Sequence, residues 1–138
     1  GGNVLLNVGP TARGTFDHRA DHALSEMGKW MKVNSRAIYG CTEAPVEFIV
    51  PDNTLLTYNA ETNRLYIHLL DYPLQNFLLR GFGDKVKYAQ FLHDASEIKM
   101  GKPSGHWIKQ ETSENDINLK LPVNKPNVEI PVIELFLK

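Results

Sequence analysis

The opening stretch of the chain constrains its fold most strongly. Val4, Leu5 and Leu6 form an uninterrupted apolar run, and Gly9-Pro10 follows shortly after it. An apolar run without alternation is typical of a parallel strand that is covered on both faces. Proline has no backbone N–H to donate to a neighbouring strand, so we predict a short buried strand that ends at Gly9-Pro10.

A helix is predicted over residues 16–33. Its apolar residues recur at spacings of three and four, which places them on one face: Phe16, Ala20, Ala23, Leu24, Met27, Trp30 and Met31. Asp17 can cap the first turn, and Asn34 can take the left-handed conformation that ends a helix. One unit of strand and helix cannot bury a two-faced strand. We therefore expect the chain to be the C-terminal piece of a longer protein.

Beyond Cys41 the apolar period changes to two, which is typical of strands. Strands are predicted over residues 46–50, 54–58, 64–70, 76–79, 86–93, 97–100, 106–110, 117–121 and 132–137. Short strands that recur at intervals of about ten residues indicate an antiparallel sandwich of about eight strands. The predicted fold class is thus mixed, with one βα unit over residues 1–40 followed by an all-β antiparallel sandwich over residues 41–138.

Charge and cysteine content exclude several classes of function. Fifteen basic residues against 16 acidic ones leave no basic field for nucleic acid and no polybasic run for an anionic membrane. No apolar run approaches the roughly 20 residues that span a bilayer. Cys41 is the only cysteine, which excludes an internal disulfide and a metal site built from cysteines. We expect neither a nucleic-acid partner nor a membrane partner.

Several segments resemble the α-L-fucosidases of glycoside hydrolase family 29. They are GNVLLNVGPT at residues 2–11, Gly14, MGKWMKVN at 27–34, AIYG at 37–40, NRLYIH at 63–68, DYP at 71–73 and IPVIEL at 130–135. The sequence departs from the family at Ser35, where glycine is common. The resemblance implies that residues 1–40 are the last strand and helix of a catalytic (β/α)8 barrel. It also implies that residues 41–138 are a C-terminal β-sandwich that supports the barrel.

The resemblance further implies a retaining hydrolase that removes terminal α-L-fucose from glycans, without a metal or an organic cofactor. Retaining glycosidases use a nucleophile and an acid/base whose carboxyl groups lie about 5–5.5 Å apart. The family's nucleophile lies on an earlier barrel strand, and neither carboxylate matches a position here. We therefore expect no catalytic residue in this chain and no activity from it alone. Family members are commonly exported or lysosomal, so an extracellular, periplasmic or lysosomal location is implied.

Asn7 is the candidate for substrate binding, because it ends a strand at the edge where the active sites of such barrels form. The alternative is that its amide bonds to backbone groups of the Gly9-Pro10 corner. His18 and His22 have the spacing of a helical metal pair. No third ligand lies near them in the sequence, so we expect no metal site.

The remaining candidates have structural interpretations. His68 and His106 alternate with apolar residues, which favours hydrogen-bonded histidines within a sheet. Glu61 and Asp71 fall in turns. Cys41 has no adjacent base, which favours a buried thiol over a nucleophile. Five aromatic residues could form a platform for sugars, although burial in the core is the expected role of aromatic residues in alternating strands: Tyr58, Tyr66, Tyr72, Tyr88 and Trp107.

Two alternative functions remain open on the sequence alone. One is a carbohydrate-binding module, which requires an exposed aromatic row on one sheet face. The other is a purely structural sandwich. Without a barrel, the apolar strand and helix would lack partners. We expect the chain to cover them by packing on its own sandwich, by forming a homo-oligomer, or by packing on the rest of the barrel.

Overall fold

A computed structural model describes residues 2–103 and 112–138 of the chain. In this part of the chain it contains one α-helix, one 3-10 turn and eight strands. The bounds are α1 His18–Asn34, the 3-10 turn Ser35–Ala37, β1 Thr42–Glu43, β2 Thr54–Asn59, β3 Arg64–Leu69, β4 Asn76–Leu79, β5 Val86–Phe91, β6 Lys99–Gly101, β7 Ile117–Lys120 and β8 Val132–Leu137.

The strands form two antiparallel sheets, as predicted. The larger sheet has the order β1-β2-β3-β8-β5, and the smaller has the order β4-β7-β6. Leu65 and Ile67 of β3 and Leu135 of β8 pack in one buried cluster with Leu79 of β4 and Leu119 of β7. The main core therefore lies between the two sheets, where the apolar residues of each alternating strand meet.

The outer face of the larger sheet is covered as well. Tyr66 and Val132 form a second buried cluster with Ala37 of the 3-10 turn, and Trp30 of α1 packs against it. Strand β3 is buried along almost its whole length, because its alternate side chains face the main core on one side and the helix end on the other. The C-terminal end of α1 is thus docked on the sandwich.

The predicted helix is confirmed, but its predicted end is not. Asp17 caps α1 by accepting hydrogen bonds from the backbone N–H groups of Ala20 at 3.0 Å and Arg19 at 2.9 Å, which lower the pKa of its carboxyl. Asn34 has a φ of −120° rather than the left-handed conformation. It is fully buried, and its Nδ2 donates to the Trp30 carbonyl at 3.2 Å, so the chain continues into the 3-10 turn. The left-handed residue is Gly40, with a φ of 72°.

The strand predicted at the start of the chain does not form, and that prediction is wrong for this chain. Residues 2–10 have no regular secondary structure. Val4 is 93% exposed, Leu5 87% and Leu6 59%. A strand needs a neighbouring strand to pair with its backbone N–H and C=O groups, and none of the described strands lies beside this segment.

Other predicted strands differ from the structure as well, and the strand predicted at 86–93 ends at Phe91. Residues 46–50 form no strand, and they begin with a turn in which the Phe48 N–H donates to the Pro45 carbonyl at 3.0 Å. Of these five residues only Phe48 enters the core, so the segment packs on the core through one side chain and not as a strand. The strand predicted at 97–100 starts later, at Lys99, and the Ile98 N–H before it donates to the Ala89 carbonyl of β5 at 2.9 Å. The strand predicted at 106–110 lies outside the described residues.

Candidate functional site

Polar side chains from distant parts of the chain meet where α1 docks on the larger sheet. We call this region the docking junction. It is defined by Trp30, Arg36, Ala37, Thr57, Tyr66, His68 and Glu134.

The register of the larger sheet builds the polar part of the docking junction. Thr57 pairs with Tyr66, Tyr66 pairs with Glu134, and Glu134 pairs with Gln90, so these four residues form one row across β2, β3, β8 and β5. Residues that lie opposite each other in a sheet project from the same face. Because Leu65 and Leu135 face the main core, this row faces α1 and the 3-10 turn.

Glu134 is the centre of the row. It is only 4% exposed, and its carboxylate accepts hydrogen bonds from Gln90 Nε2 at 2.7 Å, from Arg36 at 3.2 Å and from the Tyr66 hydroxyl at 3.3 Å. Arg64 Nε lies 3.9 Å from it. A buried carboxylate is stable only with such partners. Burial, followed by the charge of Glu134, raises the pKa of Tyr66 to about 12, so its hydroxyl remains a donor.

A second set of hydrogen bonds links His68 to the 3-10 turn. The Thr57 hydroxyl donates to the Ala37 carbonyl at 2.6 Å, and Thr57 Oγ1 lies 2.9 Å from His68 Nε2. A hydroxyl carries one hydrogen, so His68 must donate to Thr57. We therefore assign the neutral tautomer with its proton on Nε2. Burial lowers the pKa of His68.

Trp30 completes the docking junction from the helix side. Its indole N–H donates to the Ile130 carbonyl at 2.8 Å, and its ring centroid lies 6.1 Å from that of His68. A buried tryptophan usually finds such a partner for its N–H. The bond joins the last turns of the helix to the residues that lead into β8.

The docking junction has the properties of an anchor rather than of an acid/base pair. Retaining glycosidases need two carboxyl groups about 5–5.5 Å apart, whereas the junction buries one carboxylate, which is occupied by three donors. The other buried carboxylate of the described residues, Asp116, accepts from the backbone N–H groups of Ser113 and Gly81 at 2.9 Å each. These bonds lower the pKa of Asp116 and hold two loops together.

The structure leaves Asn7 exposed in the segment before the Gly9-Pro10 corner. The loop beyond the corner is closed by Thr11 and Thr15, whose backbones bond at 2.7 Å and whose hydroxyls bond at 3.1 Å. The loop closure therefore does not depend on the Asn7 amide. The role of Asn7 in substrate binding stays a prediction.

The predicted histidine pair and the predicted carboxylate pair lie on different elements. His18 and His22 are exposed on α1, and Glu61 and Asp71 are exposed in turns at the two ends of β3. Over residues 2–103 and 112–138, no group of three His, Cys, Asp or Glu side chains could hold a metal ion. His68 is hydrogen-bonded within the sheet, as its structural interpretation predicts. His106 lies outside the described residues.

The four described tyrosines of the predicted sugar platform do not form an exposed row. Tyr66 is buried, and Tyr58 and Tyr72 are half-buried with hydroxyls bonded to Asn63 Oδ1 at 3.1 Å and to the Pro122 carbonyl at 2.9 Å. Tyr88 is half-buried and packs edge-on against Phe136, with ring centroids 5.3 Å apart. Trp107 lies outside the described residues.

Cys41 lies beside the docking junction. Its thiol is half-buried and donates to the Arg36 carbonyl at 3.3 Å. Burial raises the pKa of this thiol, which disfavours the thiolate that nucleophilic attack requires.

Sequence reasoning missed Glu134, Arg36 and the hydrogen bond from Trp30 to the Ile130 carbonyl. Glu134 occupies an alternating position in β8, where a charged residue ordinarily indicates a solvent-facing side chain. The one available signal was that Glu134 stands in an otherwise apolar strand of six residues.

No helix in the part of the chain that the structure describes is long and apolar enough to cross a membrane.

Comparisons with known proteins agree with this architecture. A family model described as alpha-L-fucosidase matches residues 1–36. The human plasma alpha-L-fucosidase is 32% identical over 127 residues, which cover 88% of this chain and 25% of the human protein. The structure of alpha-L-fucosidase isoenzyme 1 from Paenibacillus thiaminolyticus superposes with a TM-score of 0.82 at 32% identity, and covers 99% of this chain and 31% of that one.

A third match supports the fold. The alpha-L-fucosidase of glycoside hydrolase family 29 from Bacteroides thetaiotaomicron, in a structure of a trapped covalent intermediate, has a TM-score of 0.75 at 24% identity over 96% of this chain. The chain spans between a quarter and a third of the length of these relatives. It therefore corresponds to the C-terminal region of the α-L-fucosidases of glycoside hydrolase family 29.

Proposed function

We propose that this chain is the supporting C-terminal part of a retaining α-L-fucosidase, which hydrolyses terminal α-L-fucosyl linkages in glycans. The observation that carries the proposal is the superposition of 99% of the chain on 31% of a bacterial α-L-fucosidase. The fucosylated glycan is then bound by the larger remaining part of the enzyme. That part also supplies the nucleophile and the acid/base.

Within this proposal, residues 1–40 are the last strand and helix of the catalytic barrel, and residues 41–138 are the C-terminal sandwich. The exposed apolar side chains of residues 4–6, together with Phe16 and Met27 on the helical side, support this division. An apolar surface of this kind marks an interaction site. The occupant that we propose is the rest of the barrel, because a two-faced strand fits between two other strands of a parallel sheet.

The docking junction gives the sandwich a role in this enzyme. Trp30 and Glu134 fix the C-terminal end of α1 on the larger sheet. A helix is a rigid connection, so the sandwich also restrains the corner and the strand that precede α1. Active sites of such barrels form at the C-terminal ends of the strands. We propose that Asn7 lies at this edge in the whole enzyme and contacts the substrate.

The first expected result concerns activity. The isolated chain should not turn over an aryl α-L-fucoside above a buffer blank, because both carboxyl groups that the reaction needs would lie outside it. The protein that includes the preceding barrel should release the aryl group. Turnover by the isolated chain would contradict the placement of the catalytic groups, and an inactive longer protein would contradict the proposed activity.

The second expected result concerns the exposed segment. Leu5→Ala should change the free energy of unfolding of the isolated chain by less than about 0.5 kcal/mol, as is usual for an exposed side chain. In the longer protein the same change should cost about 2 kcal/mol, because burial of a leucine contributes roughly that amount. Urea unfolding of both proteins measures the difference.

Leu65→Ala is the matched control. Leu65 lies in the main core, so this substitution should destabilise both proteins. An equal effect of Leu5→Ala in the two proteins would show that the barrel does not cover this segment.

A further inference from the structure

We infer that the docking junction is a pH-sensitive hinge, in which protonation of the buried His68 imidazole releases α1 from the outer face of the larger sheet. This inference concerns contacts within the chain. It does not depend on the proposed hydrolase activity.

The contacts of His68 connect its protonation to the docking of α1. His68 is only 6% exposed, on the sheet face opposite the main core. Its partners are the Thr57 hydroxyl, which belongs to the same sheet, and the Trp30 ring, which belongs to α1. Because the opposite side of β3 packs in the main core, the element that can move away from the imidazole to admit more water is α1 with Trp30.

The surroundings of His68 offer no evident counter-ion for an imidazolium. On His68's own strand and on the elements packed against it, the charged or titratable side chains of this face are Arg36, Cys41, Glu43, Arg64, Tyr66 and Glu134. Glu134 already accepts bonds from Arg36, Gln90 and Tyr66. Glu43 is exposed on the edge strand, in register with Thr57. The Arg36 guanidinium adds a positive charge to this face.

Protonation would alter the charge of His68 without breaking its known hydrogen bond. The neutral ring already donates from Nε2 to Thr57, so the added proton resides on Nδ1. The imidazolium would then remain largely buried, which disfavours the charged form. The lowered pKa of His68, which has burial as its cause, agrees with this geometry.

The sign of the effect follows from linkage between protonation and docking. In the released state His68 has its ordinary pKa of about 6.5, and in the docked state its pKa is lower. Docking is therefore fully favoured above the ordinary pKa and weakens as the pH falls toward the lowered pKa. Each unit by which the two pKa values differ changes the docking equilibrium about tenfold.

Trp30 provides the test. With Trp107→Phe, the chain retains Trp30 as its only tryptophan. We expect its emission maximum to shift to longer wavelength as the pH falls from 7.5 to 5, because the indole moves into water. Hydrogen exchange of the α1 amides should accelerate over the same range, while the amides of β3 and β8 remain protected. The exchange measurement separates movement of the helix from quenching of Trp30 by a charged imidazole.

His68→Gln is the decisive variant, because its amide can donate to Thr57 but does not titrate over this range. In this variant, Trp30 emission and hydrogen exchange of the α1 amides should no longer show an acid transition, that is, a change as the pH falls from 7.5 to 5. His22→Gln, which replaces an exposed histidine of α1, should retain it with the same midpoint. A transition that persists in His68→Gln would overturn the inference, and so would its absence from the parent chain.

A direct titration covers the case in which His68→Gln fails to fold. The His68 ring signals of the parent chain, followed by NMR, should titrate below pH 6.5 and report the Nε2–H tautomer at neutral pH. A His68 pKa at or above the ordinary value of about 6.5 would overturn the inference.

Discussion

Replacing Glu134 with alanine is expected to lower the free energy of unfolding of the chain by about 3 kcal/mol. Hydrogen bonds to a charged group contribute about 1.5–3 kcal/mol each. Glu134 accepts one from Gln90 and one from the buried Tyr66 hydroxyl. The substitution also leaves that hydroxyl buried without an acceptor. Urea unfolding at pH 7 measures the change.

Two further variants separate the buried bonds from the ion pair. Glu134→Gln keeps an acceptor oxygen but loses the charge, so it should cost about 1–2 kcal/mol. Arg36→Ala should cost no more than about 1 kcal/mol, because the Arg36 side chain is 63% exposed and water screens its attraction to Glu134. If Arg36→Ala were as damaging as Glu134→Ala, the ion pair and not the buried hydrogen bonds would stabilise the docking junction.

The elements that the sequence predicted well are those with a strong local pattern. The last strand was predicted at residues 132–137, and β8 has these bounds. Strand β4 also matches its predicted bounds, and the helix differs by a residue or two at each end. In these segments the period of the apolar residues and the cap at Asp17 are local properties of the chain, so they can be recognised without knowledge of the rest of the fold.

The elements that differ depend on partners that a local pattern cannot identify. Residues 4–6 have the apolar run of a buried strand, but the described part of the chain offers no strand to pair with them. Residues 46–50 are apolar apart from Glu47, yet they lie between Pro45 and Pro51 and contribute only Phe48 to the core. Pattern alone identifies the apolar residues in both cases, whereas their structure depends on what surrounds them.

The docking junction was unpredictable for a related reason. Its residues are far apart in the sequence, since the bond from Trp30 to Ile130 joins positions separated by 100 residues. Alternation in β3 and β8 predicts which residues share the outer face, but it does not predict what covers that face. Glu134 thus resembles a solvent-facing residue until the helix is placed over it.

Replacing Trp30 with alanine is expected to release α1 from the sandwich. Loss of a large aromatic side chain from a packed site costs about 3 kcal/mol, and the bond to the Ile130 carbonyl is lost as well. The main core does not include Trp30, so the two sheets should remain folded. Hydrogen exchange should therefore accelerate across His18–Asn34 while β3 and β8 stay protected.

Matched substitutions define what the Trp30 result means. Trp30→Phe keeps an aromatic ring but removes the N–H donor, so its smaller cost of about 1 kcal/mol reports the single hydrogen bond. Met27→Ala changes a half-exposed residue one turn earlier and should leave exchange almost unaffected. If Trp30→Ala accelerated exchange equally in α1, β3 and β8, the helix and the sandwich would be one cooperative unit. A local hinge at the docking junction requires instead that α1 open while the sheets remain closed.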